Sequence, residues 1–188
     1  MTVATPTDAV NALNAARKLP RTLMGGTSAM RAAGAEYLPQ EVAETNKAYQ
    51  IRLARTFLFN GFAKTVRDMA GKVFAKPIAI GDDMPPDLVG FAENVDLTGR
   101  NLDVFAHAVF VDALVEGISY ILTDMPPAPQ TGGRPVTRAE TRNRRPWLVH
   151  VKAAQVLGWR SEERDGHEIL TQFRFIETIT VPDGRFGG

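Results

Sequence analysis

The sequence predicts an α+β fold in which a long helix and a second helix pack on a mixed β-sheet. Two stretches, residues 44–73 and 102–116, carry apolar residues at helical spacing. Several shorter apolar runs, bounded by glycine or proline, are typical of strands. Apolar residues make up 44% of the chain and charged residues 23%, so the chain can bury an ordinary globular core.

The N-terminal residues are expected to form a separate segment. Residues 1–22 have few large apolar side chains, which predicts a flexible arm with a short helix near Asp8–Lys18. After this arm we expect one domain over residues 23–180 and a tail over residues 181–188. The strong final strand has nothing after it to cover it, which indicates that this domain is incomplete.

The long helix is predicted over Glu44–Val73, about 30 residues or roughly 45 Å if it is unbroken. Its apolar stripe contains four residues that are expected to pack in the core: Tyr49, Leu53, Phe57 and Val66. Gly61, near the middle, is expected to kink the helix or to allow close packing. Lys76-Pro77 ends the helix, because proline cannot continue it.

The second helix and a strand form one unit over residues 94–127. Thr98 and Asn101 are residue types that favour a helix start, and Gly117 suits its end, where a left-handed conformation costs glycine little. The buried face of this helix is expected to contain Leu102, Phe105, Val109 and Ala113. Residues 118–123 then predict a strand that is apolar on both faces and therefore internal to a sheet.

The C-terminal part is predicted to contain a short helix and three strands. Thr137 begins a capping-box pattern for the helix. The strands are expected over residues 147–151, 158–161 and 168–180. A turn at residues 164–166 joins the last two. Trp147 and Trp159 lie on these strands and are expected to pack in the core.

Motifs for enzymatic or metal chemistry are weak. Gly25-Gly26-Thr27 lacks the lysine and the spacing of a phosphate-binding loop. The three histidines, at positions 107, 150 and 167, are not at metal-ligand spacing, and the absence of cysteine excludes disulfides and thiolate metal sites. We therefore expect no enzymatic activity, cofactor or metal. No stretch reaches the roughly 18 consecutive apolar residues of a membrane helix, so no membrane partner is expected either.

Asp124 is the one acidic residue in a position of interest, because it directly follows the predicted internal strand. In α/β enzymes such a position often carries catalysis. Here Met125-Pro126-Pro127 follows, instead of a glycine-rich loop and a helix. We expect the carboxylate to terminate the strand as a hydrogen-bond acceptor, and a catalytic site centred on Asp124 stays as an alternative.

Five arginines form the strongest charge feature of the chain. They are Arg134, Arg138, Arg142, Arg144 and Arg145. With Glu140 as the one acid among them, the local net charge is +4. Three interpretations stay open for this cluster: a solvated face, a subunit interface, or contact with DNA phosphates. No aromatic residues alternate with the arginines, so base stacking is not indicated.

A series of short motifs in a fixed order resembles one protein family. The motifs are Met24-Gly-Gly-Thr27 with Met30-Arg31, Tyr37-Leu38-Pro39, Tyr49-Gln-Ile-Arg-Leu-Ala-Arg55, Asn60, Gly71-Lys-Val-Phe-Ala-Lys-Pro77, Val95-Asp96-Leu-Thr-Gly99, Gly117 through Asp124-Met-Pro126, Arg145-Pro146 and Trp159-Arg160. With them, residues 23–180 resemble the N-terminal wing region of a bacteriophage or prophage portal protein, in a portal-like family formerly described as a domain of unknown function.

The resemblance implies a structural role in virion assembly. Portal subunits form a homo-oligomeric ring of about twelve copies at one capsid vertex, a closed cyclic assembly. The ring contacts capsid, terminase and head-completion proteins, passes double-stranded DNA non-specifically, and is assembled in the host cytoplasm before it becomes part of the virion. The family catalyses no reaction, because the motor ATPase is a separate protein. Stem, clip and crown segments, which portals normally have, cannot be placed in this sequence.

Two other functions stay open from the residues alone. The arginine cluster over Arg134–Arg145 would suit a small nucleic-acid-binding module, and steeply salt-dependent binding to duplex DNA would be its signature. A deep polar pocket around Asp124 would instead favour an enzyme.

Overall fold

The computed structural model describes residues 2–85, 88, 90–127, 132–137 and 144–178. The described helices are α1 (Asp8–Met24), α2 (Gly26–Ala33), α3 (Asn46–Arg55), α4 (Gly61–Val73) and α5 (Leu102–Glu116). The described strands are β1 (Tyr120–Asp124), β2 (Trp147–Val151), β3 (Val156–Arg164) and β4 (His167–Phe175), and short 3-10 turns lie at Gly34–Glu36 and Ala153–Gln155. The predicted α+β class is confirmed.

Side-chain caps explain where four of these helices begin. A threonine or asparagine precedes each of them and accepts a hydrogen bond from the backbone N–H three residues on. These caps are Thr7, Thr45, Asn60 and Asn101. The predicted limits of α5 are confirmed, since Asn101 caps its start and Gly117 follows its end with a φ of 76°.

The predicted long helix over residues 44–73 is wrong, because the chain leaves the helical conformation between α3 and α4. Thr56 is extended, with φ −60° and ψ 134°. Asn60 then begins α4 by accepting from the backbone N–H of Ala63 at 2.9 Å, and its amide donates to the carbonyl of Leu23 in α1. Gly61 is therefore the first residue of α4 and not a kink within a helix.

The N-terminal residues are not the loose arm that we expected. The helix α1 contains the predicted short helix and runs across the expected boundary between residues 22 and 23. Val10 is buried and belongs to the core cluster with Val151 and Val156, and α1 also contacts α5 and α4. The apolar surface that β2 and β3 present to Val10 holds this segment in place.

The strands form two small antiparallel sheets instead of one mixed sheet. β1 pairs with β2, with Tyr120 opposite Val151 and Asp124 opposite Trp147, whereas β3 has β4 as its one partner among the described strands. The expectation that β1 is internal is therefore wrong, and its Ile121 and Leu122 are exposed. The predicted turn between β3 and β4 is confirmed at Asp165-Gly166, where both φ angles are positive, as a two-residue hairpin turn requires.

The predicted core residues divide into three groups. Tyr49, Val66 and Phe105 are buried, as expected. Leu53, Val109 and Trp147 are half-buried. Phe57 and Trp159 are wrong predictions, because they are 78% and 40% exposed. Phe57 lies in the break between α3 and α4, and Trp159 lies on a hairpin that extends beyond the core.

Two predictions fall outside the described residues: the short helix after Thr137 and the tail over residues 181–188. The helix α4 contacts α5. Phe74, just after α4, packs edge-to-face on the rings of His107 and Phe110 in α5.

Candidate functional site

The arginine cluster is only partly within the described residues. Arg138 and Arg142 lie outside them. Arg134 is exposed, and Arg144 and Arg145 are half-buried. Arg144 donates from Nη2 to the carbonyl oxygen of Pro126 at 2.6 Å, so it ties the start of β2 to the end of β1.

Arg144 and Arg145 turn part of their guanidinium groups toward the protein. Nε of Arg144 and Nη1 of Arg145 are buried and have no hydrogen-bond partner among the described residues. An arginine that binds a DNA phosphate presents its N–H groups to solvent before the DNA arrives. For these two residues, the geometry resembles packing at the base of a strand more than a phosphate-binding surface.

Asp124 lies at the exposed end of β1, and its geometry follows the expected structural role. Its Oδ1 accepts a hydrogen bond from the backbone N–H of Met125 at 2.7 Å, which terminates the strand.

A polar triangle that the sequence did not predict joins α5 to the β1–β2 sheet. It consists of Asp112 in α5, Ser119 before β1 and His150 in β2. Oγ of Ser119 lies 2.8 Å from Nε2 of His150 and donates to Oδ2 of Asp112 at 3.1 Å, and the same Oδ2 lies 3.3 Å from Nε2 of His150. The His150 side chain is only 7% exposed.

This triangle has the residue types of a hydrolase triad but the wrong connectivity. In a triad, the carboxylate contacts one imidazole nitrogen and the serine contacts the other, so that a proton can pass through the ring. Here Ser119 and Asp112 both meet Nε2 of His150, so the imidazole does not lie between them. The arrangement suits a buried polar contact that fixes α5 on the sheet, with each group hydrogen-bonded as burial demands.

The loop over residues 94–101 is held together by a dense set of hydrogen bonds to one carboxylate. Asp96 is buried, and its Oδ1 accepts from the backbone N–H of Thr98 at 2.9 Å and of Arg100 at 3.3 Å. Its Oδ2 accepts from Oγ1 of Thr98 at 2.6 Å and from Nε of Arg100. The loop is also joined to the sheet, because the carbonyl of Val95 accepts from the N–H of Leu148 in β2 at 2.8 Å.

These hydrogen bonds control the ionisation of Asp96. Burial raises the pKa of its carboxyl, but the hydrogen bonds from Thr98 and Arg100 outweigh this effect and lower the pKa from an ordinary 3.8 to about 2. The Val95-Asp96-Leu-Thr-Gly99 motif therefore has a structural explanation. Leu97 and Gly99 adopt positive φ angles of 63° and 93°, which let the backbone curl around the carboxylate.

A buried ion pair clasps α1 to the end of α5. Arg21 donates to both carboxylate oxygens of Glu116, at 2.6 and 2.8 Å, and Arg17 donates to the Glu116 carbonyl at 2.8 Å. The Glu116 side chain is only 6% exposed. Because both cations lie at the C-terminal end of α5, they also interact favourably with the helix dipole.

An apolar groove of about 790 Å³ runs beside β1. Its walls come from Leu13 in α1, from β1 and the residues just before it, and from the face of the β3–β4 hairpin that carries Trp159 and Leu170. These three side chains are 37%, 40% and 58% exposed. Contiguous apolar surface of this kind marks interaction sites in soluble proteins.

The edge of β1 along this groove is open. The N–H of Leu148 donates to Val95, on the side of β2 that faces away from β1. In an antiparallel pair, two residues that lie opposite each other both point their peptide groups either toward the partner strand or away from it, and the direction alternates along the strand. Thr123, opposite Leu148, and Ile121, two residues before it, therefore point their N–H and C=O groups away from β2. No described residue hydrogen-bonds to the peptide groups of Ile121 or Thr123. Edge strands are commonly protected from pairing with another chain by a charged side chain within the strand. The middle residues of β1, Ile121 to Thr123, carry no charge.

The outer part of the β3–β4 hairpin, residues 159–172, is an exposed arm, and we refer to it as the hairpin arm. Every residue in this range is exposed, and its side-chain hydrogen bonds stay within the arm. The arm is anchored where Val156, Leu157 and Gly158 are buried against α1.

The signals for these features differ in kind. The hairpin arm has a local signal, the Asp165-Gly166 turn between two strand-like runs. The clasp of Glu116 and the Ser119–His150 contact have none, because their partners lie 95 and 31 residues away in sequence.

Within the described ranges, no three histidine, cysteine or carboxylate side chains come together as a metal site requires. Among the described helices, none combines the length and the hydropathy that a membrane crossing needs. No protein-family model matches the chain, and no curated protein sequence shows significant similarity to it.

Proposed function

We propose that this chain is a structural subunit of a viral assembly, a portal-type head–tail connector protein that works as a homo-oligomeric ring at the DNA-packaging vertex. The ordered series of portal-like motifs supports the proposal. One of these motifs, Val95-Asp96-Leu-Thr-Gly99, has a structural role, because its loop connects the start of α5 to β2 through the Val95 carbonyl.

The observation that carries the proposal is the amount of interaction surface that the fold leaves uncovered. The groove beside β1, the open β1 edge and the hairpin arm are all apolar or extended features that a monomer normally covers. Subunits of obligate oligomers bury such features against their neighbours. The capsid, the terminase and the head-completion proteins are the further partners that a portal subunit would have.

An assembly assay tests the proposal. The purified chain is analysed by mass photometry and negative-stain electron microscopy across a hundredfold range of concentration. We expect closed rings of about twelve copies, the cyclic symmetry that head-to-tail contacts generate. A chain that stays monomeric throughout this range contradicts the proposal.

We do not adopt nucleic-acid binding through Arg134–Arg145 as the function. Within the described part of the cluster, Arg144 donates to Pro126, and both Arg144 and Arg145 direct N–H groups inward. We also do not adopt an enzyme centred on Asp124, because this carboxylate is exposed and accepts a hydrogen bond from the residue that follows its own strand.

A further inference from the structure

Apart from Trp159 and Leu170, which line the groove beside β1, the hairpin arm has little contact with its own subunit. The strands β3 and β4 pair with each other and with no other described strand. A two-stranded hairpin that projects alone into water is marginally stable at best. From Trp159 to the turn the arm extends about 15–20 Å, at the usual rise per residue of a strand. The arm therefore needs a surface outside its own subunit.

The tip of the arm is acidic. Residues 161–168 contain four acids, Glu162, Glu163, Asp165 and Glu168, against one arginine, which gives a net charge of −3. Arg164 is paired with Glu162 at 3.1 Å, and both side chains are more than half exposed. Glu163 and Asp165 have no ion pair among the described residues, so the tip presents free negative charge.

A strongly basic stretch of sequence lies elsewhere on the same chain, over residues 46–76, which includes α3 and α4 and which we call the basic helical segment. It contains seven lysines and arginines and one acid, Asp68, for a net charge of +6. Arg52 is paired with Glu44, and Lys64 with Asp68. The other five are exposed and have no ion pair within the described part of the chain: Lys47, Arg55, Arg67, Lys72 and Lys76.

The two surfaces also match in apolar character. The arm exposes Ile169 by 42% on the face that carries Glu162, whereas Leu170 lies on the opposite face, which lines the groove. The basic helical segment exposes Phe57, Phe59 and Val73 by 78%, 86% and 58%. Charge of opposite sign around exposed apolar side chains is the usual composition of a protein interface.

We propose that the hairpin arm of one copy docks on the basic helical segment of a neighbouring copy. Among the described elements, β3 and β4 make no extensive contact with α3 or α4 within one chain. Two different surfaces of the same chain meet in this contact, so it is heterologous and propagates head to tail, which closes into a ring when the rotation allows. The inference rests on the proposed function and names the contact that would build its ring.

Charge reversal tests the contact on the whole chain. The tip variant carries Glu162→Lys and Glu163→Lys, which changes the net charge of the tip from −3 to +1. The helix variant carries Arg55→Glu, Arg67→Glu, Lys72→Glu and Lys76→Glu, which changes the net charge of the basic helical segment from +6 to −2. Each variant alone places like charges together, so we expect its self-association, measured by sedimentation velocity, to weaken by at least about tenfold. When the two variants are mixed, each lysine tip faces a glutamate segment and each native tip faces a native segment. Association is then expected to return to within about threefold of the native value.

A matched control carries Asp82→Lys and Glu93→Lys, two exposed acids outside both surfaces. It is expected to associate like the native chain, and circular dichroism checks that every variant is folded. Association by the native chain that both reversals leave intact overturns the arm contact while the proposed function stands. A native chain that never associates overturns the proposed function itself.

Duplex DNA provides the remaining comparison. Binding of a 30-base-pair duplex is measured by fluorescence anisotropy at low and high salt. If the helix variant loses DNA binding while the tip variant associates normally, the basic helical segment is a phosphate-binding surface, and our inference is wrong.

Discussion

Replacing Asp96 by asparagine tests how the loop before α5 is held. The buried carboxylate accepts four hydrogen bonds from Thr98 and Arg100. In Asp96→Asn, the amide oxygen can keep the bonds to the two backbone N–H groups. The amide nitrogen then faces Oγ1 of Thr98 and Nε of Arg100, so a donor meets the Arg100 donor inside the fold. The hydrogen bonds that are lost lie next to Val95, whose carbonyl oxygen accepts from the backbone of β2.

The magnitude follows from the pKa of Asp96. A fall from 3.8 in the unfolded chain to about 2 in the folded one corresponds to about 2.4 kcal/mol of stability. The Arg100 side chain is 44% exposed, so solvent screening reduces this to about 1–2 kcal/mol. Because the folded pKa is depressed, this stability is fully present above pH 5 and is lost as the pH falls from about 4 to 2, with roughly half gone at pH 3.

Urea unfolding, followed by tryptophan fluorescence at pH 7, 5, 4 and 3, measures the effect. At pH 7 we expect Asp96→Asn to lose about 2 kcal/mol, since the mismatched amide adds to the lost ionic bonds. The difference from the native chain should shrink below pH 4. The control Asp68→Asn removes an exposed pair with Lys64 and should cost less than about 0.5 kcal/mol. An Asp96→Asn difference that is constant from pH 7 to pH 3 would refute the ionic account of the loop.

Four further substitutions have effects that follow from local geometry, and all are measured by urea unfolding. Gly117→Ala should destabilise the chain by about 1 kcal/mol because φ is 76°, whereas Gly71→Ala in α4 should stabilise it by about 0.5–1 kcal/mol because its Cβ meets nothing within 4 Å. Equal effects of these two changes would contradict the backbone argument. Glu116→Gln should cost about 3 kcal/mol, since Arg21 loses its buried carboxylate, and a cost below about 1 kcal/mol would show that water replaces the bond. Gly158→Ala should cost about 1–3 kcal/mol, because its Cβ would lie 2.7 Å from the Thr7 side chain, and a neutral result would mean that α1 shifts freely.

Features with a local cause were predictable from the sequence. Asn101 and Gly117 delimit α5 because each acts within one helical turn of its own position. The Asp165-Gly166 turn follows from residues that tolerate positive φ. In each case the residues that determine the structure are neighbours in sequence, so a pattern of a few letters contains the information.

Features with a distant cause were not predictable. The apolar spacing from Tyr49 to Val66 continues through the break after α3, and what distinguishes the break is the contact of Asn60 with Leu23, 37 residues away. Likewise, the apolar run of β1 has the composition of a central strand, but it has only one neighbouring strand among the described residues. Hydropathy indicates that a side chain is stabilised by burial, but it does not indicate whether the same chain or another one buries it.

That distinction accounts for the wrong predictions at Phe57 and Trp159, and it also suggests where their exposed side chains are buried. Phe57 lies in the basic helical segment and Trp159 in the hairpin arm, the two parts of the chain that our inference places in contact between copies. If neighbouring copies cover them, ordering of the hairpin arm and association are coupled, because a partner that binds only the folded chain stabilises it by mass action. The unfolding midpoint should then rise with protein concentration in the native chain, and the rise should be smaller over the same concentrations in the tip variant, where the arm contact is weakened.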